Sequence, residues 1–404
     1  MPQAPDPSTA LDAELAADLA EREARGLYRR RRIVQPRPGA RARVGGREYV
    51  NFSSNDYLGL ACDPRLADGL REGLTEHGAG SGAAHLITGH SALHHELEQA
   101  LAAFTGRPRA LLFSTGYMAN IGIAQALVGR KDAVLEDRLN HASLLDGALA
   151  SRAKLIRYQH ADADDLDRRL AAFREKQPDA RGLVMSDSVF SMDGDIAPLA
   201  ELATRCRAQG ACLMVDEAHG LGVCGPQGRG AVTAAGLGPD EVPILMGTLG
   251  KAFGSFGAFV AGSETLIEHL IQHARSYVYT TATPAPLAAS ALRALAISRE
   301  EDWRRDKLAE LIQAFRAAAE AHRLPLMASD TPIQPLMLGE ADRAVALSRA
   351  LEAQGYLVQA IRPPTVPDGT ARLRITLTAA HSLDDVRGLV TALAENMDHE
   401  MDTR

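Results

Sequence analysis

The chain has 404 residues, 46% of them hydrophobic, and 44 Lys and Arg stand against 51 Asp and Glu for a net charge of −7. Such a chain fits a two-domain globular protein that buries roughly three quarters of its unfolded surface and needs neither disulfides nor metal to fold. The mildly acidic balance argues against a broad nucleic-acid or anionic-membrane surface, and no apolar run approaches the roughly 20 residues of a membrane span.

The residues from Met1 to Asp18 lack the Arg and Lys of a targeting peptide, which points to a cytoplasmic protein. Cys62, Cys206, Cys212 and Cys224 show no CxxC spacing, so reduced thiols are expected. No His sits at a short ligand spacing from a Cys pair, so no metal is expected either.

Residues 2–8 are Pro-rich and read as loose. From Leu11 the apolar residues recur at helical spacing, and the helix leads into the basic run Arg29 to Arg32. RARVGGREYVNF alternates around Gly45-Gly46 and reads as a hairpin. From about residue 64, short apolar runs alternate with amphipathic stretches: 110–113, 133–136, 154–158, 182–187, 212–216 and 242–247. This is the pattern of a mostly parallel sheet covered by helices on both faces. A long helical stretch over 285–322 follows. Then come strand-like 332–339, helical 341–355, strands at 356–362 and 371–378, and a last helix from about Ser382. The expected organisation is an N-terminal helix and hairpin (1–50), a large α/β domain (51–285) and a smaller C-terminal α/β domain with its linking helix (286–404).

Ligands of such sheets sit beyond the C-terminal ends of the strands, so the polar residues that end each apolar run carry the functional reading. CLMV runs into Asp216-Glu217-Ala218-His219. The same four residues occur in nucleotide-driven helicases, but the phosphate loop those proteins need is missing upstream. The next run leads into Thr248-Leu249-Gly250-Lys251-Ala252-Phe253-Gly254. A lysine among Gly, Ala and Phe is partly desolvated, which lowers its pKa and suits it to Schiff-base chemistry. Upstream, Ser114–Asn120 places Gly116 and Tyr117 at a helix start, where free N–H groups meet a phosphate. Asn140-His141-Ala142-Ser143 and Asp187–Asp195 end two further runs. A phosphate cradle, a flat aromatic, a hydroxyl, an acid, a His and a lysine on one rim match the parts of pyridoxal 5′-phosphate.

With these motifs the chain resembles the fold-type I pyridoxal-phosphate enzymes and, within them, the α-oxoamine synthases. The matching stretches are Ser54–Leu60, Ser114–Asn120, Asn140–Ser143, Phe190–Asp195, Asp216–Gly220, Gly247–Gly254 and Arg372–Thr378. Ile361-Arg362-Pro363-Pro364-Thr365-Val366-Pro367 and Tyr279-Thr280-Thr281 point to the biotin-pathway branch of that family. The resemblance implies that Lys251 carries the cofactor, Asp216 pairs with the pyridine nitrogen, His219 hydrogen-bonds the phenolic oxygen and His141 lies against the ring. It implies that Gly116 and Tyr117 hold the phosphate and that Ser191 and Thr248 contact the cofactor. Arg362 and Thr365 match substrate contacts, and so does Arg29, although four arginines in a row leave open which one faces the site. The segment Ala282-Thr283-Pro284-Ala285-Pro286 departs from the adjacent Pro pair of relatives.

The activity implied is decarboxylative condensation of L-alanine with a pimeloyl thioester, on acyl carrier protein or coenzyme A, in a homodimer whose site is built from two chains. Two alternatives remain at this level: glycine with a short acyl-CoA, or a binding protein that kept the fold without the activity.

Overall fold

The computed structural model describes residues 7–25 and 27–402. The helix Pro7–Ala24 starts earlier than the apolar spacing indicates. Of the loose start expected over 2–8, residues 2–6 lie outside the described residues, and 7 and 8 already belong to this helix. Three strands follow: β1 (Val34–Arg37), β2 (Arg41–Val44) and β3 (Arg47–Asn51). The expected hairpin is β2–β3, with Val44 opposite Arg47 across Gly45 and Gly46. Both glycines have positive φ, which a two-residue turn of this kind requires.

The next strands are β4 (Arg109–Phe113), β5 (Ala133–Asp137), β6 (Lys154–Tyr158), β7 (Gly182–Asp187), β8 (Cys212–Asp216), β9 (Ile244–Thr248) and β10 (Ala258–Gly262). Together they form one sheet in the order β4-β10-β9-β8-β7-β5-β6. β5 to β9 pair in parallel, in line with the alternating pattern. β10 runs antiparallel to both β9 and β4, and no periodicity announces it. Side chains alternate between two apolar layers. Ala110, Leu112, Leu135, Leu213 and Val215 face one, while Leu111, Phe113, Val134 and Met214 face the other. Burial on both faces is why the inner strands β7, β8 and β9 read as apolar runs, whereas the edge strand β6 is partly exposed and carries Lys154 and Arg157. Each fully buried Leu or Val contributes about 1.5–3 kcal/mol.

Helix starts carry side-chain caps. Asp63, Thr115, Asp162 and Ser263 each accept a backbone N–H of the following turn.

The stretch 285–322 is two helices, Ala285–Glu300 and Trp303–Ala321. Buried Arg304 holds the break: its guanidinium donates to Glu301, to the Leu58 carbonyl (2.8 Å) and to Asp63 (3.1 Å). β11 (Ile333–Gly339) and the helix Ala341–Ala353 follow as expected. Residues 356–362 are two strands rather than one, β12 (Tyr356–Leu357) and β13 (Gln359–Ile361). β12 extends the N-terminal sheet alongside β3, whereas β13 pairs with β14 (Ala371–Thr376), which also pairs with β11. The chain changes sheets at buried Val358. The last helix is Leu383–Asp402. Among the described residues no helix is long and apolar enough to cross a membrane.

Candidate active site

The C-terminal ends of β4, β5, β7, β8 and β9 converge on one rim, and two hydrogen-bonded chains of side chains run along it. The first starts at Asp216, the last residue of β8. Its Oδ1 accepts the Ala218 N–H, and its Oδ2 accepts one amide hydrogen of Asn120, both at 2.8 Å. The second amide hydrogen of Asn120 goes to Ser143 Oγ, also 2.8 Å away. Ser143 Oγ thus accepts from Asn120 and donates its own proton to His141 Nδ1 at 2.7 Å. The backbone N–H of Ser143 points at that same Nδ1. His141 therefore carries its proton on Nε2, because Nδ1 is already an acceptor. Burial and the nearby Lys251 charge lower the His141 pKa against the opposing pull of Asp216.

Asp187 ends β7 directly beside Asp216. It accepts the His141 backbone N–H at 2.6 Å. Burial and the Asp216 charge push its carboxyl well above the usual range, since two adjacent buried carboxylates resist ionising together.

The second chain starts at Lys251, in the loop between β9 and β10. Its Nζ lies 2.8 Å from His219 Nε2, and His219 Nδ1 lies 2.6 Å from the Tyr57 hydroxyl. Asn55 Oδ1 faces Tyr57 OH at 3.3 Å and accepts from the Arg374 guanidinium at 3.1 Å. Arg374 cannot accept, so Asn55 presents oxygen and Tyr57 donates to it. The Tyr57 oxygen then accepts from His219 Nδ1–H, which leaves Nε2 as the acceptor for Lys251. Burial, and next the Lys251 charge, hold the His219 pKa well below its ordinary value, so the ring stays neutral. Burial also lowers the pKa of Lys251; Asp216 and Asp187 oppose the shift and Arg374 adds to it. The lysine of the small-residue loop is thus partly desolvated, as the sequence suggests.

At the end of β4, Thr115 caps the helix Gly116–Leu127 through the Met118 N–H. Among the described residues the N–H groups of Gly116 and Tyr117 have no partner. Tyr117 is exposed and its hydroxyl bonds Asp146. Thr248 Oγ1 donates to the Gly257 carbonyl, and the Ser191 carbonyl accepts from Arg374.

Arg29, Arg362 and Thr365 make no hydrogen bond to this cluster. Arg362 donates to the Tyr28 carbonyl, the Thr365 N–H bonds the Arg362 carbonyl, and Arg29 is exposed. Gly26, beside that segment, lies outside the described residues. Asn55, Tyr57, Asn120, Ser143, Asp187 and Arg374 were not singled out from the sequence, although each lies in or beside a quoted motif. Their signal was a polar residue inside an otherwise matching stretch; their roles needed the fold.

These residues fit pyridoxal 5′-phosphate. The unpaired amides of Gly116 and Tyr117 offer two donors to an anion at a helix N-terminus. Asp216, buried and held by Asn120 and Ala218, offers a fixed carboxylate to a ring nitrogen. Lys251 offers a partly desolvated amine.

Residues 47–393 match the family described as aminotransferase class I and II. The 8-amino-7-oxononanoate synthase of Thioalkalivibrio sulfidiphilus is 57% identical over 384 residues, covering 95% of this chain and 97% of that protein. The enzyme of the same name from Saccharophagus degradans is 56% identical over 389 residues, covering 96% and 97%. Among solved structures, the 8-amino-7-oxononanoate synthase of Francisella tularensis is 31% identical with a TM-score of 0.76, covering 87% of this chain and 99% of that one. The serine palmitoyltransferase of Sphingomonas wittichii is 30% identical with a TM-score of 0.89, covering 96% and 98%. The chain therefore belongs to the class I and II aminotransferase family of fold-type I pyridoxal-phosphate enzymes and, within it, to the 8-amino-7-oxononanoate synthases, which are acyltransferases.

Proposed function

We propose that the chain condenses L-alanine with a pimeloyl thioester, releasing CO2 and the free thiol carrier and leaving 8-amino-7-oxononanoate. The observation that carries this reading is the meeting of Lys251, neutral His219 and buried Asp216 on one rim. When bound, pyridoxal 5′-phosphate supplies an electron sink for negative charge at the amino-acid α-carbon. Lys251 would hold it covalently through Nζ, and the same nitrogen, as a free amine, would take the α-proton of the amino acid. Asp216 would face the ring nitrogen and favour its protonated form. Gly116 and Tyr117 would hold the phosphate, with Ser191 and Thr248 beside the cofactor. His219 would turn from Lys251 to the phenolic oxygen, and His141 would cover one ring face. Lys251 Nζ, His141 and His219 would together restrict how the amino acid sits.

Two arginines compete for the amino-acid carboxylate. The charge of Arg374 acts on Lys251, His219 and Tyr57, which favours Arg374 for that contact; a planar fork binds both carboxylate oxygens. Arg362 and Thr365 are left for the acyl chain, and Arg29 for the outer substrate path. The protein is proposed to act in the cytoplasm as a homodimer. A large cofactor-binding domain spans 51–285 and a smaller domain 286–404, behind the N-terminal segment 1–50.

The test is thiol release by the cofactor-loaded protein, offered L-alanine with pimeloyl-CoA or pimeloyl carrier protein, and glycine with acetyl-CoA. Release with an alanine pair and equal CO2 supports the reading. Release with glycine alone moves the function to the glycine-using branch. In Lys251→Ala, release is expected to fall at least about a thousandfold, and near-normal turnover by that variant overturns the assignment.

A further inference from the structure

The helix Ala92–Thr105 opens with a histidine-rich turn that the proposed reaction does not use. His90, His94, His95 and Glu98 lie on or just before it, and His85 stands in the preceding turn His85–Gly89. The members have different partners, and those partners decide what each can bind. His94 is already committed: Nδ1 accepts the Ser91 N–H at 3.0 Å, and Nε2 lies 2.8 Å from the Thr283 carbonyl. His85 is buried and stacked on Tyr277, with ring centroids 5.2 Å apart. Burial and the two neighbouring imidazoles bring its pKa down to about 4, so it stays neutral.

His85 Nδ1 faces His90 Nδ1 at 3.1 Å. A proton shared there leaves His90 Nε2 on the far side of the ring, 3.9 Å from Glu98 Oε2. The other oxygen of Glu98 accepts the Leu112 N–H at 3.0 Å, which fixes the carboxyl and turns Oε2 toward His90. His95 is exposed, its Nε2 accepts from the exposed Gln99 amide at 3.1 Å, and it precedes Glu98 by three residues, so both lie on one helix face. A ligand atom of each of His90, His95 and Glu98 lies within 4.8 Å of the other two.

We propose that His90, His95 and Glu98 form a site for a divalent transition-metal ion, zinc by preference, with His85 orienting His90. Two imidazoles and one carboxylate select zinc, cobalt or nickel over magnesium or calcium, which prefer oxygen. Bonds of about 2.0–2.2 Å set tetrahedral ligand atoms about 3.4 Å apart, so His90 and Glu98 need close by only about half an ångström. A neutral second imidazole on the distal nitrogen is the kind of partner that holds a ligating His in register. The ion would bridge the segment before Ser91 to the helix after it, next to Tyr277 and Thr283.

The experiment is cobalt(II) titration of the chelator-stripped, cofactor-loaded full chain, followed by visible d–d absorption, with zinc competition and metal content after gel filtration. About one ion per chain is expected, with affinity falling at least about tenfold in His95→Ala and in His90→Gln. Binding is expected to be unchanged in His273→Ala, which alters the separate His269–His273 pair. His95 is exposed, so its truncation tests the site without disturbing the core. Binding below about one ion per five chains overturns the proposal. So does equal binding by the wild type and both variants, or a near-ultraviolet thiolate band that assigns the ion to a cysteine.

Discussion

Tyr57 shows how much a single hydroxyl can order. It is fully buried, and its oxygen stands between His219 Nδ1 and Asn55 Oδ1. Tyr57→Phe leaves a buried imidazole N–H without an acceptor, so a loss of about 1–3 kcal/mol in stability is expected. A free His219 ring then has no reason to keep its tautomer, so kcat is expected to fall about tenfold or more with little change in the L-alanine KM. Denaturant unfolding and steady-state kinetics check the two halves separately. At the substrate contact, Arg374→Lys is expected to raise the L-alanine KM at least about tenfold and Arg362→Ala the thioester KM instead; the reverse pattern would restore Arg362 to the amino-acid carboxylate.

His160 carries a pH prediction. Burial lowers its pKa, but Asp137 at 3.0 Å and Asp195 at 2.9 Å more than offset this and raise it to about 10. The folded protein holds this proton where the unfolded chain has lost it. The stabilisation is therefore complete below about pH 6.5 and declines as pH rises toward about 10. His160→Gln is expected to flatten that alkaline decline in urea midpoints measured from pH 6 to 10.

Loops and turns set the register of the site. The β9–β10 loop closes on itself through Leu249 N–H to the Gly257 carbonyl and Gly254 N–H to the Lys251 carbonyl. Gly254 has φ +60°, and a Cβ there would stand 2.3 Å from the Ala61 backbone nitrogen. Gly254→Ala must shift either the loop or the segment after Leu60, at a cost of about 2–4 kcal/mol. Cofactor retention is expected to drop with stability, because Lys251 moves with the loop; thermal unfolding and absorbance after gel filtration test this. The Asp216–His219 stretch divides its side chains in a similar way. Asp216 and His219 join the site, while Glu217 is fully buried elsewhere. Glu217 accepts from Ser188 and from the N–H groups of Ala231 and Val232, and so anchors the helix Ala231–Ala234. Two of this motif's three polar side chains belong to the site, and the third holds the fold around it.

The whole molecule leaves an apolar stripe uncovered. Leu11, Leu15 and Leu19 are exposed along one face of the first helix, four residues apart. Among the described residues nothing covers that face, in keeping with the proposed homodimer. Sedimentation of the wild type is expected to give the dimer mass, and a monomer that retains full activity would remove the two-chain site from the proposal.

The strands β4 to β9 and the strand-end positions of Lys251, Asp216, His219 and His141 were legible in the sequence, because parallel strands in a covered sheet leave short apolar runs that end in polar residues. β10 was not legible, because it runs antiparallel to its neighbours and is placed by pairing with β4, far upstream in the chain, as well as with β9 just before it. The division of 356–362 between two sheets was hidden for the same reason: each half takes its partner from a different part of the chain. Residue types and motif spacing marked out a cofactor site. Asn120 beneath Asp216, Tyr57 behind His219, Arg374 near Lys251 and His85 against His90 came only from the tertiary structure. Hydrogen-bond partners and tautomers are set by which atoms meet, and linear spacing carries no record of contacts made across the fold.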